Sequence, residues 1–230
     1  MPFIFGSSNA VTIILWFGPT SWNAVDTAPI SRVSEEAKAG KESKSAKRTG
    51  RNLFSTEDGQ DTKLFRHYVG GLQRYLPSAL PLFAPNINSY RRFGHKQTDS
   101  PINVEWGQDN RTAGLRVPVS KPENRRVENR LPGADGNPYL TIAATLACGL
   151  LGLMEEIEPT EQIKGSAYKK GHNLPVHMFD ALKKFKTCKP LQELLGEQFI
   201  RTLVGIKETE FKAYNTVISS WERENLLLNV

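Results

Sequence analysis

Arginine side chains dominate the stretch of the chain between residues 91 and 130. Seven arginines fall within these forty positions, where acidic residues are fewer: Arg91, Arg92, Arg111, Arg116, Arg125, Arg126 and Arg130. The guanidinium group is planar and permanently charged, and its paired N–H donors match the two oxygens of a carboxylate or phosphate. The composition of this stretch therefore favours a binding site for an anion.

Several of these arginines lie on short segments with strand character. Three segments are rich in β-branched or aromatic residues and are bounded by Gly, Asn and Pro: 103–106, 112–119 and 125–130. Alternate side chains of a strand share a face, so Arg126, Glu128 and Arg130 point to one side of the third segment. If the second and third strands pair with matching faces, Arg116 joins these three groups. Arg111, just before the second strand, can join them too.

Two interpretations of this charged face remain open. Three or four guanidinium groups around one carboxylate carry more positive charge than an ion-pair ladder requires, which favours anion binding. A single Glu among arginines can also ligate a divalent cation that rides on phosphate oxygens. The alternative is a solvated sheet face with alternating Arg and Glu, which is the commoner origin of such a pattern. The number of arginines favours the first interpretation.

The apolar spacing predicts the helices that support these strands. We predict an amphipathic helix over 62–76, loosened by Gly70-Gly71, followed by a connection over 77–85 in which prolines break helicity. A second helix over 138–156 has proline in its first turn, Asp135 and Asn137 as candidate caps, and apolar residues nearly all round. We expect it to be buried.

The C-terminal part of the sequence also has helical spacing. A helix starts over 190–196, and a long helix, broken at most once, follows over 198–228. The long helix has one apolar face, composed of Phe199, Leu203, Ile206, Phe211, Tyr214, Val217, Ile218 and Trp221.

Length and composition indicate a globular chain that forms one large domain, two small domains or part of a larger protein. The chain has 230 residues, a net charge of +6, and 39% hydrophobic and 23% charged residues. These values exclude a collagen-like or wholly disordered protein. Two cysteines, Cys148 and Cys188, are too few for a disulfide scaffold and favour a reducing compartment, for which we expect the cytoplasm. The apolar run at 13–17 is too short to span a bilayer, and we expect no membrane partner.

Residues 1–50 differ in character from the rest of the chain. Residues 31–51 combine Lys and Arg with Ser, Ala, Gly and Glu, a composition that cannot bury a core. We predict that 1–50 form an unrelated, disordered leader and that 51–230 form the folded domain. A basic arm that binds nucleic acid is the alternative, but the run lacks aromatic side chains to stack on bases. We therefore expect no nucleic-acid partner.

Four motifs resemble those of glutamine synthetases, in the order and at the spacing of that family. They are N-S-Y-R-R at 88–92, D-N-R-T-A-G-L-R-V-P at 109–118, R-V-E-N-R at 126–130 and A-D-G-N-P-Y-L at 134–140. Two further segments resemble the γ-glutamylpolyamine synthetase branch most: S-P-I-N-V-E-W-G at 100–107 and W-E-R-E-N-L-L at 221–227. The resemblance covers residues 51–230. It implies an α+β fold, namely the C-terminal portion of a glutamine synthetase-type catalytic domain. In that portion, antiparallel strands pack with helices as an incomplete barrel.

The resemblance also implies an activity. Such ligases use ATP to phosphorylate the γ-carboxylate of glutamate, and ammonia or an amine, such as a polyamine, then displaces phosphate. By matching position, Arg92 and Arg130 would hold the glutamate carboxylates. Arg111 would contact the transferring phosphate, and Arg116 and Arg126 would bind the nucleotide phosphates.

Two acidic residues complete the implied site. Glu128 would be a ligand to Mg or Mn. Asp99 takes the place of a flap glutamate that in glutamine synthetases proper shields the intermediate and helps to deprotonate ammonium. The shorter side chain of Asp99 and the altered sequence of 93–100 depart from the family pattern.

The largest departure from the family is the missing N-terminal half. No β-grasp domain, further metal-binding glutamates or G-S-G-x-H-x-H segment precedes residue 51. We therefore expect an N-terminally truncated ligase that is inactive alone. The alternative is a non-catalytic relic or interaction subunit that associates with full-length paralogues. Either form is expected in a homo-oligomer or mixed oligomer, with 198–230 as the packing helix.

Overall fold

Two helices of 17 residues each form the centre of the fold. The computed structural model describes residues 25–27 (backbone only), 52–94, 100–170 and 174–227. Helix α1 spans Lys63–Ala79 and begins where the Thr62 hydroxyl accepts a hydrogen bond from the Phe65 N–H. A four-residue helix, α2, spans Arg91–Gly94, and helix α3 spans Pro138–Met154. The Asn137 side chain caps α3, with proline next to it in the first turn, as predicted.

Glycines allow α1 and α3 to approach each other closely. A Cβ atom on Gly152 would stand 2.5 Å from the Gly71 N, and closer still to the Gly71 Cα and the His67 carbonyl oxygen. The prediction that Gly70-Gly71 loosens α1 was wrong, because the helix continues through both residues. The backbone of α3 occupies the space that a side chain at residue 71 would need, and the backbone of residues 157–158, just after α3, occupies the space at residue 70.

Pro77 does not end α1, which is a second correction to the sequence analysis. The helix runs through Pro77 to Ala79 and then tightens into a 3-10 turn over Leu80–Leu82. The fixed φ of proline is helical, and only one hydrogen bond of the last turn is lost. A second 3-10 turn, Ile87–Tyr90, leads directly into α2.

Short strands form a sheet beside the two helices. In the described residues its order is β1-β4-β3-β2, with β1 Val25–Thr27, β2 Trp106–Gln108, β3 Leu115–Val117 and β4 Val127–Asn129. β4 runs antiparallel to β1 and β3, as expected, but β2 and β3 are parallel, so the sheet is mixed. A parallel pair requires the chain to return to the end of the sheet at which the first strand began. Strands of three residues are only about 10 Å long, so the six residues between β2 and β3 are enough for this return.

Strand β1 comes from the segment that the sequence analysis separated from the domain. Its residues pair with β4, with Asp26 in register with Glu128. The remainder of 1–51, including the stretch expected to be mobile, lies outside the described residues. The division at residue 50 therefore stays a prediction, while the β1 backbone lies at the edge of the sheet.

Among the described residues of the C-terminal part, four α-helices follow one another. They are α4 Met178–Thr187, α5 Lys189–Leu195, α6 Glu197–Asn215 and α7 Ser220–Asn225. The break between α6 and α7 is the single break that the sequence predicted. Helix α4 was missed, although Met178, Ala181, Leu182 and Phe185 are buried at helical spacing.

The apolar face predicted for the long C-terminal helix is only partly covered. The buried residues of α6 are Ile200 and Val204, which the predicted face did not include, whereas Phe199 and Leu203 of that face are only partly buried. Phe211 stacks on Phe179 of α4 with ring centroids 6.1 Å apart. Members of the predicted face on both sides of this contact are exposed to solvent: Ile206 before it, and Tyr214, Val217, Ile218 and Trp221 after it. The second half of the predicted face therefore has no covering element in the part of the chain that the structure describes.

The segment after α3 is tied to the sheet by polar side chains. The Gln73 amide of α1 donates to the Val104 carbonyl and accepts from the Thr160 N–H at 2.9 Å. The Trp106 indole N–H donates to the Thr160 carbonyl at 2.7 Å. These bonds place residues 160–166 against the end of β2.

A buried tyrosine makes the stability of the fold sensitive to alkaline pH. The Tyr75 hydroxyl donates to the carboxylate of Glu155, which follows α3. Burial, this hydrogen bond and the negative charge of Glu155 raise the pKa of Tyr75 to about 12. The folded state thus favours the protonated hydroxyl, and the resulting stability is lost as the pH rises from about 10 in the unfolded chain toward the folded value.

We therefore expect Tyr75→Phe to flatten the alkaline loss of stability. Urea unfolding would be compared at about pH 8 and about pH 11 for both proteins. Wild type should lose more stability between these values than the variant, whose phenyl ring cannot ionise. Equal losses would contradict the role given to Tyr75.

No helix in the described ranges is both long and apolar enough to cross a membrane.

Candidate active site

Arg116 and Glu128 face each other across β3 and β4. They are register partners in the antiparallel pair, and Arg116 Nη1 lies 2.9 Å from Glu128 Oε2. Arg126 Nη2 lies 3.6 Å from the other carboxylate oxygen, Oε1. Glu128 is only 8% exposed. The predicted pairing of the two charged strand faces is therefore confirmed.

The opposite faces of these strands fix this orientation. Leu115, Val117 and Val127 are buried in the hydrophobic core. Asn129 is also buried, and its amide donates to the Thr145 hydroxyl of α3 at 3.0 Å. Because alternate residues of a strand point to opposite sides, burial of this set places Arg116 and Glu128 on the other side.

Asp109 is a member of this group that sequence reasoning did not single out. It follows β2 with a φ of 46°, and its Oδ1 lies 2.7 Å from Arg116 Nη2. Burial alone would lower the pKa of Arg116, but the charges and hydrogen bonds of Glu128 and Asp109 outweigh it, and the pKa is raised. Asp109 lies in the motif that also contains Arg111, and this position could have identified it as a candidate site residue from sequence.

Two further arginines, Arg130 and Arg111, lie next to this group. Arg130 Nη1 donates to the carbonyl oxygens of Arg111 and Ala113, the latter at 3.3 Å. Burial lowers the pKa of Arg130, as do the positive charges of Arg116 and Arg111, against opposing effects of Tyr168 and Glu128. Within the described residues, no carboxylate lies within ion-pair distance of Arg111 or Arg130.

Arg92 forms a second, separate cationic group. Its Nε donates to the Ser89 carbonyl at 3.2 Å, and its Nη2 to the Phe83 carbonyl at 3.3 Å. The guanidinium carbon lies 4.4 Å from the centre of the Phe93 ring. Burial lowers the pKa of Arg92, although the charge of Asp135 opposes this effect. Arg92 makes no ion pair with any described residue.

An open cavity of about 730 Å³ lies beside the arginine group. Its walls are the loop after β2, residues 108–112, and the segment 162–166. Asn110 bridges the walls by donating to the Gly165 carbonyl at 2.7 Å, and the Ala167 N–H donates to the Thr112 hydroxyl at 2.8 Å. Arg111, which belongs to the predicted site, lines this cavity. Lys164, which was not predicted, lines it too.

The described residues do not by themselves supply a complete ligand set for a divalent cation. Both carboxylate oxygens of Glu128 face arginines, and no group of three or more His, Cys, Asp or Glu side chains able to hold a metal occurs in the described ranges. Hard cations such as Mg²⁺ need about six oxygen ligands. Asp99, the predicted flap acid, lies outside the described residues.

Comparisons with known proteins place the chain in a family. Residues 43–226 match the model of the glutamine synthetase catalytic domain. The gamma-glutamylputrescine synthetase PuuA of Escherichia coli is 37% identical over 181 residues, which are 78% of this chain and 38% of that protein. The gamma-glutamylethanolamide synthetase GlnA4 of Streptomyces coelicolor is 34% identical, over 75% of this chain and 37% of that protein.

A solved structure shares the fold. The structure described as apo GmaS without ligand superposes with a TM-score of 0.67 at 30% identity, covering 76% of this chain and 41% of that one. The chain therefore belongs to the glutamine synthetase family and has the α+β fold of part of its catalytic domain. It spans less than half the length of these relatives.

Proposed function

We propose that the chain supplies the arginine-rich part of the active site of an ATP-dependent ligase that joins glutamate to ammonia or an amine. The main support is the position of Arg111 and Arg130 next to the Arg116–Glu128 pair. Neither arginine has a carboxylate partner among the described residues. Guanidinium groups with no counter-ion among the described residues suit phosphate and carboxylate ligands, and Arg111 also lines the open cavity.

The chemistry brings several negative charges into one place. An oxygen of the γ-carboxylate attacks the γ-phosphorus of ATP, the bond to the bridging oxygen breaks, and ADP leaves. The amine nitrogen then attacks the acyl phosphate carbon, loses a proton and expels inorganic phosphate. Positive groups fixed in advance lower the cost of gathering these charges.

Each arginine has a role in this scheme. Arg111 contacts the transferring phosphate, and Arg116 and Arg126 bind the nucleotide phosphates. Arg92 and Arg130 hold the carboxylates of glutamate. Asp99 is our candidate for the group that takes the proton from the amine.

The proposal also concerns the identity of the amine acceptor. Relatives of this chain are called gamma-glutamylputrescine synthetase, gamma-glutamylethanolamide synthetase and glutamate–isopropylamine ligase, and others are called glutamine synthetases. We propose an alkyl amine or polyamine as the acceptor, with ammonia as the second candidate.

We also propose that this chain is inactive alone. Ligases of this kind use Mg²⁺ or Mn²⁺ with ATP, and Glu128 would be one ligand among several. Asp109, the other carboxylate of the group, is paired with Arg116, and the described residues contain no cluster of three or more possible ligands. The remaining ligands would therefore come from outside these residues or from a second polypeptide.

Binding and turnover, measured on the purified chain, test this proposal together. Isothermal titration with ATP and with L-glutamate should show binding, and phosphate release from ATP with glutamate and putrescine should be absent. Release by the chain alone would contradict the inactivity. Absence of both binding and release would refute the ligase site and favour the second candidate function.

The second candidate is an interaction subunit in a homo-oligomer or mixed oligomer with full-length paralogues. The exposed apolar side chains of α6 and α7 favour it, since contiguous exposed apolar surface marks association sites. The segment between α6 and α7 adds Val217 and Ile218, both largely exposed.

We expect the isolated chain to associate as its concentration rises. Sedimentation velocity should show species larger than the monomer, and Trp221→Ser should reduce them because the side chain is 61% exposed on α7. Val119→Ser is the matched control, because Val119 is 65% exposed but lies near the end of β3. A monodisperse wild-type monomer would contradict the expectation.

The two cysteines bear on the cellular location. Cys148 is buried and Cys188 is partly buried, and both are unpaired. We propose a cytoplasmic location on this basis.

A further inference from the structure

Asp135 has a role that its position before α3 does not predict. Asp135 is a candidate helix cap by sequence, but Asn137 caps α3. The carboxylate oxygen Oδ2 of Asp135 instead accepts hydrogen bonds from the Ser89 hydroxyl and from the Asn86 amide, the latter at 3.1 Å. Asp135 therefore connects the loop before α3 to the turn that precedes α2.

Ser89 carries this connection to Arg92. Its carbonyl oxygen accepts from Arg92 Nε at 3.2 Å, and its hydroxyl oxygen also accepts from the Asn86 N–H at 3.1 Å. The turn is thus closed on itself and anchored from outside by one carboxylate. A shift of Ser89 would move the acceptor that orients the guanidinium of Arg92.

Gly133 leaves room for the Asp135 carboxylate and the Arg92 guanidinium because it has no side chain. A Cβ on Gly133 would clash with Asp135 Oδ1 and stand 3.3 Å from Arg92 Nη2. The Gly133 N–H also donates at 3.0 Å to the Phe83 carbonyl, the same oxygen that accepts from Arg92 Nη2. The loop of Asp135 and the guanidinium of Arg92 therefore share a common acceptor and adjoin the same small space.

We propose that Asp135 is a positioning residue for Arg92. Through Ser89 and the space beside Gly133, it holds the guanidinium in one orientation, and its negative charge stabilises the cation. The proposal deepens the proposed function, because it rests on Arg92 as a group that binds a carboxylate of glutamate. Asp135 itself would not touch the substrate.

Nitrogen-15 NMR of the Arg92 Nε–H tests the positioning without any ligand. Asp135→Ala removes both the acceptor and the charge, whereas Asp135→Asn keeps an oxygen that can accept from Ser89. We expect hydrogen exchange at Arg92 Nε to accelerate about tenfold in the alanine variant and much less in the asparagine variant. Asp180→Ala, which removes an exposed carboxylate on α4, is the matched control.

Gly133→Ala provides an independent variant should Asp135→Ala fail to fold. The added methyl group would displace the carboxylate or the guanidinium, so the Arg92 Nε signal should shift and its exchange should accelerate. Unchanged exchange in the folded Asp135 and Gly133 variants, relative to Asp180→Ala, would overturn the positioning role.

Titration with L-glutamate separates this role from the proposed function. If wild type binds glutamate, Asp135→Ala should weaken the affinity about tenfold and Asp135→Asn should restore most of it. Equal affinities in both variants and wild type would overturn the proposal. If wild type does not bind glutamate, the function given to Arg92 fails, and the exchange measurement still decides whether Asp135 positions it.

Discussion

Gly152→Ala is expected to destabilise the fold by about 3 kcal/mol or more. The new methyl group would clash with the backbone of α1 at Gly71 and His67, where α1 and α3 pack closely against each other. A flexible side chain could turn away from such a clash, but backbone atoms of a 17-residue helix can move only if the helices separate. Separation would also expose core residues such as Leu72 and Leu76.

Urea unfolding followed by circular dichroism measures this effect. Gly205→Ala is the matched control, because a Cβ on Gly205 in α6 would meet nothing within 4 Å. There the gain in helix propensity should stabilise the protein by up to about 1 kcal/mol. Opposite signs for the two variants support the close packing of α1 on α3, and equal effects would contradict it.

Arg111→Gln is expected to weaken ATP binding by about tenfold or more. A guanidinium–phosphate contact is a charge-assisted hydrogen bond, which contributes about 1.5–3 kcal/mol. Arg111 is exposed and makes no ion pair with a described residue, so its removal leaves no buried charge behind. The melting temperature should therefore stay unchanged while the affinity falls, as measured by isothermal titration at fixed ionic strength.

Arg201→Gln is the control for net charge. Arg201 is an exposed arginine on α6 that pairs with Glu197 one turn away. Its replacement removes the same charge from the molecule, and we expect ATP affinity to change little. A similar loss in both variants would indicate attraction by net charge rather than a site.

The two-residue period of strands allowed the charged face to be predicted from sequence. Alternation placed the charged residues on one face of each strand, and Arg116 and Glu128 come together because β3 and β4 pair with these faces matched and with Val117 and Val127 buried. The helices around Phe65 and Ala144 followed from apolar spacing in the same way. These features depend on neighbours along the chain, so local pattern is sufficient to find them.

Features that depend on distant parts of the chain were missed. The fit of Gly71 against Gly152 and the bonds of Asp135 to Ser89 join residues far apart in sequence. The continuation of α1 through Pro77 was missed because proline breaks helices in general but fits a last turn. Likewise, the parallel pairing of β2 with β3 depends on strand length, which the sequence analysis overestimated.

The central claim is that one anion site is surrounded by guanidinium groups of β3, of the residues flanking β4 and of the loop between β2 and β3. Titration of the isotope-labelled chain with tripolyphosphate, followed by the arginine Nε–H signals, tests it most directly. The signals of Arg111, Arg116 and Arg130 should shift together with one apparent dissociation constant, while Arg201 stays constant. Shifts confined to one of the three, or equally large at Arg201, would contradict the claim.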